Sequence, residues 1–127
     1  MSKIDQLSGT VLVVDDTPGN LRVIVDSLSA RGLDVLVATD GKSAIERAAY
    51  GRPDLILLGV IMPDIDGFEI CLKFKEPLET AAIPVIFMTA LSDTNQKVKA
   101  FEVGAVDYVT NSFEQEEIIA HLTIRRL

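Results

Sequence analysis

Cysteine, histidine and basic residues are all scarce in this chain, and each scarcity removes a class of function. Cys71 is the only cysteine, so no disulfide forms within the chain and no Cys/His cluster of the kind that holds zinc exists. It reads as ordinary helix packing. His121 is the only histidine; set between Ala120 and Leu122 in a helical pattern, it reads as a packing or surface residue, not a catalytic base. The 12 basic residues are outnumbered by 19 acidic ones, for a net charge of -7. That balance speaks against direct binding to a nucleic acid or to an anionic membrane surface. Long apolar runs are also missing: none approaches the roughly 18 residues of a membrane span, and Met1 to Gly9 has no continuous apolar core. A cytoplasmic protein is the expectation.

What is present is a 127-residue chain with 48% hydrophobic residues, long enough for one sizeable core and too short for two ordinary domains. Five short apolar runs recur: Val11 to Val14, Leu33 to Val37, Leu55 to Leu58, Val85 to Met88 and Val106 to Val109. The first and third are continuously apolar, as strands covered on both faces are. Helical spacing fills the gaps between runs. Leu21, Ile24, Val25 and Leu28 lie on one face, between Pro18-Gly19 at the start and Gly32 past the end. Asp40 is placed to cap a second helix carrying Ala44, Ile45 and Ala48 inward, stopping at Gly51 before Pro53. A third helix is expected from about Asp66 to Pro77, and a fourth from Ser92 or Asp93, with Val98 and Phe101 inward and Gly104 at its end. The last begins near Phe113, with Glu114, Glu116 and Glu117 early and Arg125 and Arg126 late, the polarity favoured by the helix dipole. Its pattern still runs at Leu127, which suggests a piece of a longer protein. The repeat implies an α/β three-layer sandwich, doubly wound on a parallel sheet. Residues 1–9 are read as an arm and 10–127 as the domain.

In such sheets ligands sit beyond the carboxyl ends of the strands. Asp15 and Asp16 follow the first run, Gly59 the third, Thr89 and Ala90 the fourth, Asn111 and Ser112 the fifth. Adjacent carboxylates repel unless a cation or ordered water lies between them, and magnesium suits oxygen ligands of this kind. The same two aspartates equally suit a cap for the first helix. The pair alone does not separate the readings.

Val13-Val14-Asp15-Asp16, Pro53 to Leu58, Met62-Pro63-Asp64-Ile65-Asp66-Gly67-Phe68-Glu69, Met88-Thr89-Ala90 and Gly104-Ala105-Val106-Asp107-Tyr108, in this order and spacing, resemble the receiver domain of bacterial two-component response regulators over roughly residues 10 to 124. The resemblance implies a flavodoxin-like, five-stranded parallel sheet in the order 2-1-3-4-5. It also implies a site in which Asp15, Asp16 and the backbone carbonyl of Ile61 hold Mg2+, and residue 59 takes a phosphoryl group from a histidine kinase. Thr89 and residue 111 would contact the phosphoryl oxygens, and Tyr108 would be the aromatic that changes rotamer on activation.

Two of those positions depart from the pattern. Gly59 has no carboxylate, so no acyl phosphate forms there. Asn111 is neutral and shorter than the family's lysine, so it brings amide hydrogen bonds but no charge. The two losses fit each other, since either group alone would lack its counter-charge. Ser112 replaces the family's proline after the lysine; a non-proline cis bond costs about 2.5–4 kcal/mol, so a trans Asn111-Ser112 bond is expected. Ser112 instead spaces with Gln115 as a capping box. Asp64 and Asp66 read as turn formers.

The expected function is therefore a receiver-type signalling module that cannot accept phosphate at residue 59 and acts through protein contacts. Its partner would be a protein or an adjoining output or kinase domain, or a second copy joined through the fourth helix, fifth strand and fifth helix. Mg2+ would bind weakly, and no organic cofactor is expected. A natural or engineered inactive variant of a phosphorylatable regulator is the alternative. Enzymes fit less well. A phosphatase of the haloacid dehalogenase type needs Asp-x-Asp where this chain has Asp15-Asp16-Thr17-Pro18, and a flavin protein needs more hydroxyls than Thr17-Pro18-Gly19-Asn20 supplies.

Overall fold

The strands form because their residues are apolar on both faces and find cover on both. The computed structural model describes residues 9–60, 62, 64–88 and 94–109. In it β1 (Thr10–Val14), β2 (Asp34–Ala38), β3 (Leu55–Gly59), β4 (Val85–Met88) and β5 (Asp107–Val109) make one parallel sheet in the order β2-β1-β3-β4-β5. Alternation sorts each strand's side chains. Leu12, Val14, Ile56, Leu58, Val85 and Phe87 enter one core, and Val11, Val13, Leu55, Leu57, Ile86 and Met88 the other. The first core is covered by α2 (Gly41–Gly51), α3 (Gly67–Lys75) and α5 (Thr94–Glu102), the second by α1 (Pro18–Ala30). This is the three-layer, flavodoxin-like arrangement expected from the βα periodicity. A single extra turn, α4 (Leu78–Ala81), follows α3. No helix among the described residues is long and apolar enough to cross a membrane.

The helix stops follow local chemistry. After α1, the amide of Gly32 donates to Ser29 O at 3.0 Å and that of Leu33 to Leu28 O at 3.3 Å. Gly32 takes the left-handed φ of 94° that this closure requires. Gly104 ends α5 the same way, at φ 101°, with Ala105 donating to Ala100 O at 3.1 Å.

The second helix stops at Gly51 as expected, and Arg52 takes the left-handed turn at φ 43°. Pro53 explains this, because it bars the right-handed helical region to the residue before it. Three expectations need correction. The third helix ends at Lys75 instead of reaching Pro77, and α4 restarts beyond the proline. On α5 the inward residue is Ala100, fully buried, and Val103 just past the helix packs on the same core, whereas Val98 and Phe101 are 50% and 52% exposed. Apolar spacing at i and i+3 located a helical face correctly and assigned it to the wrong side. The second strand starts at Asp34, leaving Leu33 buried ahead of it in the turn. Residues 1–8 of the expected 1–9 arm, the Ser92 or Asp93 cap, His121, the Asn111-Ser112 bond and the helix from Phe113 lie outside the described residues.

Candidate functional site

β1 and β3 are neighbours, so their carboxyl ends lie side by side at one edge of the sheet. The Asp15 amide extends the ladder past β1 by donating to Ala38 O at 3.1 Å. Its side chain is 8% exposed, and Oδ1 accepts from the Thr17 amide at 2.9 Å. That bond folds Asp15 into a tight turn and leaves Thr17, which makes no side-chain cap bond, as the N-cap of α1. Neither aspartate is the helix cap, so the capping alternative fails. Asp16 is exposed beside it.

Across the gap stands Gly59, the last residue of β3, paired in register with Met88. A Cβ built there would lie 3.9 Å from Asp15 Cα, 3.6 Å from Met62 Sδ and 3.2 Å from Val14 O. The direction a side chain would take at 59 is thus toward Asp15, and the thioether of buried Met62 borders the same space. Gly59 is not among the glycines with positive φ, which are Gly9, Gly32 and Gly104. The strand conformation accepts any L residue, at the cost of easing one tight contact to the Val14 carbonyl. Two carboxylates with only oxygen donors suit a hard cation whose other positions are filled by water. Among the described residues no group of three His, Cys, Asp or Glu side chains comes together to hold a metal.

Tyr108 is buried in β5, in register with Phe87. Phe87 in turn packs on Phe68 with ring centroids 5.1 Å apart, and the Lys99 ammonium lies 4.7 Å above the Phe68 ring. Tyr108 therefore occupies the inward position in this structure. Ile61, Thr89 and Asn111 lie outside the described residues.

The loop between Gly59 and α3 carries residues that do more than the turn forming expected of Asp64 and Asp66. Gly67 donates to Val60 O at 2.7 Å, and a Cβ at 67 would fall on the carbonyl of Gly59. Asp66 caps α3 by accepting from Glu69 N at 2.9 Å. Asp64 is not merely a turn former. Its carboxylate accepts from the amides of Gly41 at 2.8 Å and Lys42 at 3.2 Å, on α2. The Gly41 amide foremost, then that of Ile65, holds this carboxyl below the usual carboxylate range. The Asp66 signal was available as an Asp three residues before Glu69; the Asp64 contact had no local signal.

Known proteins match this chain in sequence and in fold. The profile of the response regulator receiver domain family fits residues 11–123. The chain is 38% identical over 116 residues to the response regulator PleD of Caulobacter vibrioides, spanning 91% of this chain and 26% of that protein. It thus covers about a quarter of that curated relative's length. Among solved structures, a response regulator of Chloroflexus aurantiacus superposes with a TM-score of 0.87 at 29% identity, covering 93% of this chain and 97% of that one. The receiver domain of sensor histidine kinase PA1611 from Pseudomonas aeruginosa, which has a magnesium ion coordinated in its active site cleft, gives 0.85 at 26% identity, with 93% and 97% covered.

Proposed function

This chain belongs to the response regulator receiver domain family, and from that premise we propose that it is a two-component signalling module that takes no phosphoryl group at residue 59 and acts through protein contacts. One observation carries the reading: at the end of β3, the direction that leads to Asp15 begins from a glycine. Acyl phosphate formation needs a carboxylate oxygen to attack phosphorus while the donor's leaving group departs, and Gly59 supplies no such oxygen. Asn111 in place of the family's lysine is consistent with a cleft that no longer manages phosphoryl charge.

Asp15 and Asp16 are the residues that would hold Mg2+, with the Ile61 carbonyl as a third donor by family position. Bound there, the ion would neutralise the pair. With no anionic ligand from residue 59, its affinity is lower than in a receiver with all three carboxylates. The contact surface is the outer side of α5 and the step into β5, where Val98, Phe101 and Val106 stay exposed. A protein partner, an adjoining output or kinase domain, or a second copy would cover it. The charge of -7 leaves nucleic acid and anionic membrane as poor direct partners. The reading is of a signalling protein and not an enzyme, working in the cytoplasm.

Intact mass before and after incubation with acetyl phosphate and Mg2+ tests this. The unaltered chain is expected to gain nothing, and the Gly59→Asp, Asn111→Lys chain to gain one phosphoryl group. The second result would show a competent scaffold lacking only its acceptor, as an inactivated variant of a phosphorylatable regulator would be. A phosphoryl adduct on the unaltered chain would overturn the proposal.

A further inference from the structure

The first amides of α2, those of Gly41, Lys42 and Ser43, have no acceptor within their own helix. Asp40 serves Ser43 locally, at 2.7 Å. The other two are served from another element, by the Asp64 carboxylate, 23 and 22 residues away in the chain. An anion there is favoured by the dipole of α2, and both bonds are charge-assisted. Beside this clamp Ile65 lies on Gly41 so closely that a Cβ at 41 would come within 2.6 Å of Ile65 Cγ1 and 3.1 Å of Ile70 Cγ1. The same loop is closed at its base by the bond from Gly67 N to Val60 O. Between base and clamp, Met62 is 8% exposed and borders the space between Gly59 and Asp15.

We propose that Asp64 is a positioning residue for the cation site of Asp15 and Asp16. By bridging the Gly41 and Lys42 amides it ties the loop after β3 to α2, keeps Met62 over Gly59, and so sets the shape of the cleft wall that faces the carboxylate pair. An aspartate that only formed a turn would bond within that turn; the Asp64 carboxylate meets the local Ile65 amide and also reaches two amides of a neighbouring helix. The inference rests on Asp15 and Asp16 being a cation site, and the test separates the two.

Asp64→Ala and Asp64→Asn are compared in the unaltered chain and in Gly59→Asp, by hydrogen exchange at Gly41 and Lys42 and by calorimetric titration with Mg2+. Asp64→Ala is expected to deprotect those two amides while Ser43, held by Asp40, keeps its protection. It is also expected to weaken Mg2+ binding to the Gly59→Asp chain roughly tenfold, the range seen for residues that orient metal ligands. Asp64→Asn, which retains one acceptor oxygen and most of the packing, recovers part of both effects. Equal Mg2+ affinity of Gly59→Asp with and without Asp64, or unchanged protection at Gly41 and Lys42, overturns the proposal. Absence of Mg2+ binding in the unaltered chain sinks only that chain's cation reading, because the Gly59→Asp comparison still decides the role of Asp64. Absence of binding in Gly59→Asp as well overturns both.

Discussion

The carboxyl ends of β1 and β3 lie side by side on one edge of the sheet and are built in opposite ways. β1 runs on into Asp15, tied through its amide to Ala38 and through its carboxylate to Thr17, and then into exposed Asp16. β3 stops at Gly59, and the nearest side-chain atom to its missing substituent is the sulfur of Met62. The register between the two strands is unbroken up to Val14 and Leu58. The difference teaches that scaffold and chemistry separate cleanly here. The edge is held by ladder bonds, helix caps and close glycine contacts, none of which needs a carboxylate at residue 59.

The sharpest way to break that comparison uses the two glycines flanking the loop. Gly67→Ala drives a methyl into the Gly59 carbonyl and the Val60 Cα, and backbone cannot yield as a side chain can. A loss of about 3 kcal/mol in chemical denaturation is expected. Gly59→Ala meets only one tight contact and gains from a stiffer unfolded chain, so its change stays under about 1 kcal/mol. Equal losses would mean that the fold itself demands glycine at 59.

A second test contrasts the core with the polar edge through pH. Burial, partly offset by the nearby Lys75 charge, pushes the Cys71 thiol from 9.0 up to about 11. Its thiol donates to Val103 O at 3.4 Å. The unfolded chain releases this proton first, so between those values the folded state binds more protons, and stability falls as pH rises from about 9 to about 11, by on the order of 2 kcal/mol. Cys71→Ala is expected to remove that alkaline slope in urea titrations at successive pH values. The slope's persistence would place its origin elsewhere.

A smaller contrast sets the cleft scaffold against the outer face of α5. Asp66→Ala removes the α3 cap and is expected to cost about 1 kcal/mol. Phe101→Ser, at a half-exposed position, is expected to stay within about 0.5 kcal/mol. If that face binds a partner, Phe101→Ser weakens association without lowering Tm. A large fall in Tm would mean that Phe101 is a core residue after all.

Much of this was legible before any coordinates. Apolar runs such as Leu55 to Leu58 announced strands buried on both faces, and Asp40, Gly32 and Gly104 marked helix ends through chemistry acting over a few residues. The site was legible in part. Asp15, Asp16 and Gly59 were placed at strand ends by position in the repeat, and the structure sets the ends of β1 and β3 side by side. Val98 and Phe101 misled because an i, i+3 pair defines a helical stripe without saying which side of the helix the sheet will take, and small Ala100 claimed that side by allowing close approach.

The chain's order of residues by itself determined the alternation of strands and helices and the identity of the groups at each strand end, the glycine at 59 among them, because periodicity, capping and side-chain chemistry are local. Only the tertiary structure decided that Asp64 serves α2, that Ile65 requires Gly41, and that Met62 borders the space beside Gly59. Those are meetings between segments distant in sequence, fixed when the sheet closes and the loop after β3 is laid against its neighbours, and no local pattern records them.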